Sequence, residues 1–101
     1  MAIKSFRHKG LKNFFYKDVR SGLNPQHIET IADILDTLDA SHHPQDMKAI
    51  FGREFSEKKG DAKGVYSVEV NGNWRITYEL EDDGAVVVDY VDYHGKKIAK
   101  R

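Results

Sequence analysis

Cysteine is absent from this chain and proline nearly so, with two residues among 101. Without thiols there is no disulfide framework and no thiolate metal site, and a reducing compartment is compatible with the sequence. No apolar run approaches the roughly 20 residues that a membrane-spanning helix requires. The opening residues carry Lys4, Arg7 and Lys9 and lack the apolar centre of a signal peptide. The cytoplasm is therefore the expected compartment, with no membrane partner. The chain has no nucleophile elbow and no Walker-type phosphate loop, so covalent hydrolase chemistry has nothing to stand on. His42 and His43 are adjacent and do not share a helix face, and no spaced carboxylates complete a metal site around them. No metal and no cofactor is expected.

Excess charge of either sign is also missing, since 16 Lys and Arg balance 16 Asp and Glu. The distribution is uneven. Residues 1–20 hold Lys4, Arg7, Lys9, Lys12, Lys17 and Arg20 against Asp18 alone. Residues 21–50 are acidic through Glu29, Asp33, Asp36, Asp39 and Asp46, and residues 65–94 carry Arg75 as their single Lys or Arg. Lys96, Lys97, Lys100 and Arg101 make the end basic again. Polyanion binding responds to local fields and counterion release, not to the whole-chain sum. A solvated surface could be clustered in the same way.

A chain of this length suits one domain with one core. Ile3 to Phe6 could start a strand or lead into a helix. Leu11, Phe14 and Phe15 recur at i, i+3 and i+4 and mark a first helix, which Ser21-Gly22-Leu23 ends. Asn24 offers an N-cap oxygen and Pro25 a pre-set first position for a second helix reaching about Asp39. Ile28, Ile31, Leu35 and Leu38 form its buried stripe, with Glu29, Asp33 and Asp36 facing water. Residues from Gln45 to Ile50 are compatible with another helical turn. From Gly64 the period becomes two. Tyr66, Val68 and Val70 alternate with Ser67 and Glu69; Trp74, Ile76, Tyr78 and Leu80 alternate with Arg75, Thr77 and Glu79. Asn71-Gly72 predicts the hairpin between these strands, and Asp82-Asp83-Gly84 a turn into a third strand ending near Tyr93. Helices followed by an antiparallel meander make an α+β domain, with two helices packed on the sheet.

If Trp74, Ile76 and Tyr78 face the helices, Arg75 faces the other side. There it can grip phosphate with paired hydrogen bonds, or form a cross-strand ion pair with a carboxylate such as Glu69. His94, at the end of the last strand, has an ordinary pKa near ~6.5 that suits proton transfer, though an exposed histidine there would be unremarked. Tyr93 could stack on a base or simply fill the strand. The segment Lys58-Lys59-Gly60-Asp61-Ala62-Lys63-Gly64 could hold an ammonium over a phosphate, or be a solvated turn.

Four segments, Ile3–Lys12, Lys59-Gly60-Asp61, Gly72–Tyr78 and Asp89–His94, resemble in order the HigB toxins of the RelE/ParE superfamily. The resemblance covers residues 3–94. It implies a RelE-like fold, two N-terminal helices on a curved antiparallel sheet, as a toxin domain over residues 1–94; family members often end near the Tyr-His pair, and the basic tail expected over 95–101 departs from that pattern. It implies a ribosome-dependent endoribonuclease that cuts messenger RNA in the decoding site and is silenced by a HigA-like helix-turn-helix antitoxin. By similarity, Lys59, Arg75, Tyr93 and His94 are the catalytic set; the basic loop and basic tail add Lys58, Lys63, Lys96 and Lys97 as expected RNA contacts. Two alternatives belong to other classes: a non-nucleolytic gyrase inhibitor of the related ParE kind, and a ribosome-binding module with a decayed site. Where many HigB chains read His-Pro-Leu-Lys-Gly-Asp-Arg, this one reads Ser56-Glu57-Lys58-Lys59-Gly60-Asp61-Ala62, lacking that histidine and arginine.

Overall fold

The computed structural model of the protein describes residues 1–58, 60 and 64–92. A short strand β1 (Ala2–Ile3) precedes helices α1 (Lys9–Lys17), α2 (Ile28–Ala40) and α3 (Pro44–Phe51). Strands β2 (Phe55–Glu57), β3 (Val65–Asn71), β4 (Trp74–Glu81) and β5 (Gly84–Asp92) follow. They form one sheet in the order β1-β5-β4-β3-β2. The α+β expectation holds, with two differences. A third helix is present, and the sheet is mixed, because β1 pairs with β5 in parallel while the rest is an antiparallel meander.

Local chemistry accounts for the helices. His8 caps α1 by accepting the Leu11 N–H on Nδ1 at 3.2 Å, and Asp18 closes the helix in the left-handed region. Asn24 Oδ1 accepts the Gln26 N–H as the sequence suggests, but Pro25–His27 make a 3₁₀ turn and the α-helix starts at Ile28. Ile31, Ile34, Leu35 and Leu38 are its buried residues, while Ile28 is only half-buried. The His42-His43 pair proves to be a helix entry. Asp46 accepts the N–H groups of both, and its own N–H donates back to the His43 carbonyl at 3.0 Å just ahead of the helix. Those two backbone donors, His42 first, hold the Asp46 carboxyl below its ordinary value.

The hairpin from β3 to β4 differs from expectation by one residue. Asn71 pairs with Trp74, so the turn is Gly72-Asn73, and Gly72 supplies the positive φ of +57°. The cause is a register shift that leaves Val70 as an extra residue between Glu69 and Asn71. The next turn, Asp82-Asp83, takes its positive φ from Asp82 instead of Gly84. Gly84 lies in β5 where a Cβ would come within 2.5 Å of Lys4 Cδ, so the bare backbone there seats the lysine stem.

A second bulge lies in β5. Glu79 pairs with Val86 but Thr77 pairs with Asp89, leaving one residue too many on β5. Val87 absorbs it with φ +54°, a conformation that β-branched residues rarely adopt. The N-terminal segment holds this strained strand. Lys4 N–H donates to Ala85 O, Arg7 N–H to Val88 O and Val88 N–H to Ser5 O, while Ser5 Oγ accepts the Val87 N–H at 2.9 Å.

The helices cover the sheet face that carries Val68, Ile76, Tyr78, Val88 and Tyr90, which join Leu11, Ile31, Leu35, Leu38 and Met47 in one core. Tyr78 lies between Tyr66 and the core, stacked on the Tyr66 ring at 5.6 Å. Its hydroxyl is buried with no hydrogen-bond partner among the described residues.

Two stability predictions follow from this packing. Val87→Gly relieves the positive φ and stays within about 1 kcal/mol of wild type, whereas Val88→Gly, in the core, loses about 3 kcal/mol or more. Urea unfolding of both checks this, and equal losses would contradict the bulge. Burial raises Tyr78, Tyr66 and Tyr90 above the ordinary tyrosine value of 10.0. The folded state thus keeps these protons longer than the unfolded chain, so the associated stability is complete below about pH 10 and is lost above it. Tyr78→Phe, which removes an unpartnered buried hydroxyl, should raise stability by about 1 kcal/mol at neutral pH and flatten the alkaline decline.

Candidate functional site on the open sheet face

Strand parity decides which side chains leave the core. Across the open face Ser56, Ser67, Thr77 and Asp89 stand in one row of paired positions over β2, β3, β4 and β5. Glu69 and Arg75 form the next pair toward the Gly72 turn. Ser67 and Thr77 are buried, at 1% and 6% exposure, although they face away from the helices. They are short side chains between the longer Glu69, Arg75, Glu79 and Asp89. Ser56 Oγ and Ser67 Oγ lie 3.0 Å apart, and Arg7 Nε reaches Asp89 at 3.9 Å from the N-terminal segment.

Arg75 is the central cation of this face. Its Nη1 donates to Gly72 O at 2.6 Å and to Trp74 O at 3.1 Å, so the turn it follows also orients it. Its Nη2 lies 3.8 Å from Glu69 Oε1, so the cross-strand pair is present. At that distance, with the Glu69 side chain 42% exposed, the pair is weak. Arg75 is therefore positioned by backbone carbonyls and only loosely neutralised. Lys58 extends the β2–β3 ladder through its N–H to Val65 O at 2.8 Å. Burial, and then the Arg75 charge, lower its ammonium pKa. Two cations on one partly shielded surface favour a multiply charged anion.

Behind Arg75, on the helix side, lies an aromatic clamp. Trp74 stacks on Tyr90 with centroids 4.5 Å apart, and the His27 ring meets Trp74 edge-on at 5.9 Å. His27, 3% exposed, contacts the Tyr90 hydroxyl through Nδ1 at 2.6 Å. The His8 ring also meets Tyr90 edge-on, with centroids 5.5 Å apart. Burial raises the Tyr90 pKa, the Asn24 backbone partly offsets the rise and Asp92 adds to it. The clamp fixes the ends of β4 and β5, and thereby the backbone that carries Arg75.

Of the residues singled out from sequence, Arg75 and Lys58 are brought to one face. Lys59, Lys63, Tyr93, His94, Lys96 and Lys97 lie outside the described residues. Sequence reasoning missed the hydroxyl row and the His27–Tyr90 pair. Parity could have placed Ser67 and Thr77 on the Arg75 face, but aligning them with Ser56 and Asp89 requires the register. His27 carries no local sign, because its partner is far along the chain. Among the described residues no group of three or more His, Cys, Asp or Glu is placed to hold a metal ion.

The His27–Tyr90 contact predicts a non-additive pair. Tyr90→Phe leaves a buried ring nitrogen without its partner and should cost about 1–3 kcal/mol. Combined with His27→Leu, it should cost less than the sum of the two single changes, as a double-mutant cycle in urea would measure.

Comparison with known proteins agrees with this fold. Residues 4–94 match the family model described as RelE-like toxin of type II toxin-antitoxin system HigB. The Endoribonuclease HigB of Proteus vulgaris is 39% identical over 93 residues, spanning 91% of this chain and 99% of the relative. Toxin HigB-1 of Vibrio cholerae serotype O1 is 32% identical over 90 residues, spanning 88% of this chain and 94% of the relative. Such a family implies an antitoxin partner. A match of this extent, on an α+β fold of this kind, places the chain in the HigB family of RelE-like toxins of type II toxin-antitoxin systems.

Proposed function

We propose that this toxin is an endoribonuclease that cleaves messenger RNA on the ribosome without a metal ion. The observation that carries the reading is the pair of cations, Arg75 and Lys58, on the open sheet face. The name of the Proteus vulgaris relative, Endoribonuclease HigB, gives it further support.

In the proposed reaction the 2′-oxygen of one nucleotide attacks the neighbouring phosphorus and the bond to the 5′-oxygen breaks. The 2′-hydroxyl proton is lost to a base, and the departing 5′-oxygen gains a proton. The products are a 2′,3′-cyclic phosphate and a 5′-hydroxyl. The demand on the protein is to hold the nucleotide in line and to stabilise a phosphorane more anionic than the ground state. Arg75 suits this because its planar donors reach two phosphoryl oxygens together. The turn carbonyls of Gly72 and Trp74 orient it beforehand, so little reorganisation is needed. Lys59 adds charge at the phosphate, His94 exchanges the proton and Tyr93 orients the nucleotide. Lys58, Lys63, Lys96 and Lys97 bind the RNA backbone, with an affinity that falls as salt rises. The toxin is cytoplasmic and its antitoxin is of the HigA helix-turn-helix kind.

Primer extension on a defined message in a purified translation system tests the reading. Cuts should require translating ribosomes. Arg75→Ala should slow them by about 10²-fold or more, and Arg75→Lys should recover only part of the rate, since an ammonium cannot bridge two oxygens. Unchanged cutting by Arg75→Ala would remove Arg75 from the mechanism. An intact message beside translating ribosomes, with gyrase supercoiling blocked, would replace the reading altogether.

A further inference from the structure

Helix α2 carries Glu29, Asp33, Asp36 and Asp39 and no basic residue. Glu29 and Asp33 are related by i, i+4, and Asp33 and Asp36 by i, i+3, so these carboxylates are neighbours on one helix face and repel. Asp36 and Asp39 also sit toward the C-terminal end, where the helix dipole disfavours negative charge. Asp39 has a structural use, since it accepts the Ile3 N–H at 3.0 Å. Glu29, Asp33 and Asp36 make no ion pair or side-chain hydrogen bond among the described residues. On the opposite flank Arg20 shares a groove with Glu29, and Lys17 shares one with Asp36, without forming an ion pair, so the repulsion along α2 is only partly offset.

The acidic face borders a groove of about 500 Å³ between α2 and α3, lined by Asp36, Thr37, Ala40, Asp46, Ala49 and Ile50. Asp46, Ala49 and Ile50 lie at i, i+3 and i+4 and so form one stripe of α3 facing it. Ile50 is 62% exposed, more than any other large hydrophobic side chain among the described residues. An aliphatic floor is thus flanked by a carboxylate side chain from each helix, Asp36 and Asp46. The open face with Arg75 lies on the other side of the sheet.

We propose that the α2–α3 groove is a docking surface for the antitoxin, whose segment there sets an aliphatic side chain against Ile50 and lysine or arginine side chains against Asp33, Asp36 and Asp46. The inference rests on the family's antitoxin partner and not on the RNA chemistry. Charge complementarity selects this occupant. A second copy of the chain, packed on the same surface by two-fold symmetry, would oppose acidic helix to acidic helix. Nucleic acid would be repelled. A basic segment relieves the repulsion along α2, and its apolar anchor covers Ile50.

Calorimetric titration of the purified toxin with its cognate antitoxin tests the proposal. Ile50→Ser should weaken the complex by about tenfold or more and leave the free toxin's melting temperature unchanged, because the side chain is mostly exposed. Asp33→Asn with Asp36→Asn should also weaken the complex and reduce its salt dependence, while raising the melting temperature of the free toxin by relieving like-charge repulsion. Opposite signs for binding and stability are what a merely structural role would not give. Affinities within about twofold of wild type for both variants would overturn the proposal. So would self-association of the wild type that Ile50→Ser abolishes, which would assign the groove to a second copy. Arg75→Ala should bind antitoxin like wild type. Because this readout contains no RNA, failure of the cleavage reading and failure of the docking surface are separable.

Discussion

One extra residue in β5 decides which side chains this protein shows to its surroundings. The Asp82-Asp83 turn sets β5 against β4 so that Ala85 opposes Leu80 and faces the core. Uninterrupted alternation from there would turn Asp89 inward and Tyr90 outward. The bulge at Val87 reverses the parity. Val88 and Tyr90 enter the core, and Asp89 joins Thr77 on the open face. The strain of a valine at positive φ persists because the N-terminal segment bonds to the strand on both sides of it. The parallel pairing of β1 is the start of that strap. The same strap delivers His8, which caps α1 and touches Tyr90, so strand, bulge and first helix are tied through a few residues.

The corrected parity then couples core to site. Tyr90 is available to stack on Trp74 only because it points inward, and Trp74 immediately precedes Arg75. Adjacent strand residues face opposite ways, so holding the indole in the core holds the guanidinium outside. A second constraint comes from the Gly72-Asn73 turn, whose carbonyl receives Arg75 Nη1. Arg75 is thus aimed from behind by packing and from the side by backbone oxygens. Glu69, its loose cross-strand partner, offers little to oppose an incoming phosphate.

Much of this was legible in the sequence because the signals are local. Helical spacing of Leu11, Phe14 and Phe15, the Asn24-Pro25 entry and the alternation around Trp74 and Arg75 all report on neighbouring residues. The α+β class followed, and so did the face on which Arg75 stands. What was not legible depends on partners distant in the chain. The parallel β1–β5 pairing, the His27–Tyr90 contact and the hydroxyl row need the register, and a single extra residue changes the register without an unambiguous mark. The run Val86-Val87-Val88 conceals its bulge because all three residues suit a strand, and glycine, the usual sign of positive φ, is not there. Asn71-Gly72 did announce a hairpin, but the Val70 bulge moved its turn by one position.

The open face also bears on how this chain differs from the family pattern it resembles. Ser56 stands where that pattern has a histidine, and its hydroxyl turns to Ser67 at 3.0 Å. A serine hydroxyl does not ionise near neutral pH, so this position offers no acid–base group of the kind a histidine would supply. Lys58 stands where the pattern has leucine, and burial first and then the Arg75 charge lower its ammonium pKa. For an RNA-cleaving toxin these two exchanges act in opposite directions. General acid–base catalysis typically contributes about 10²–10⁴-fold, and a preorganised charge at the developing oxyanion about 10²–10³-fold. The contributions are comparable in size, so an added cation can offset much of what a lost histidine removes. On the proposed reading, catalysis in this chain leans on fixed positive charge more than on proton exchange, and the turn that orients Arg75 becomes as consequential as the residues that move protons.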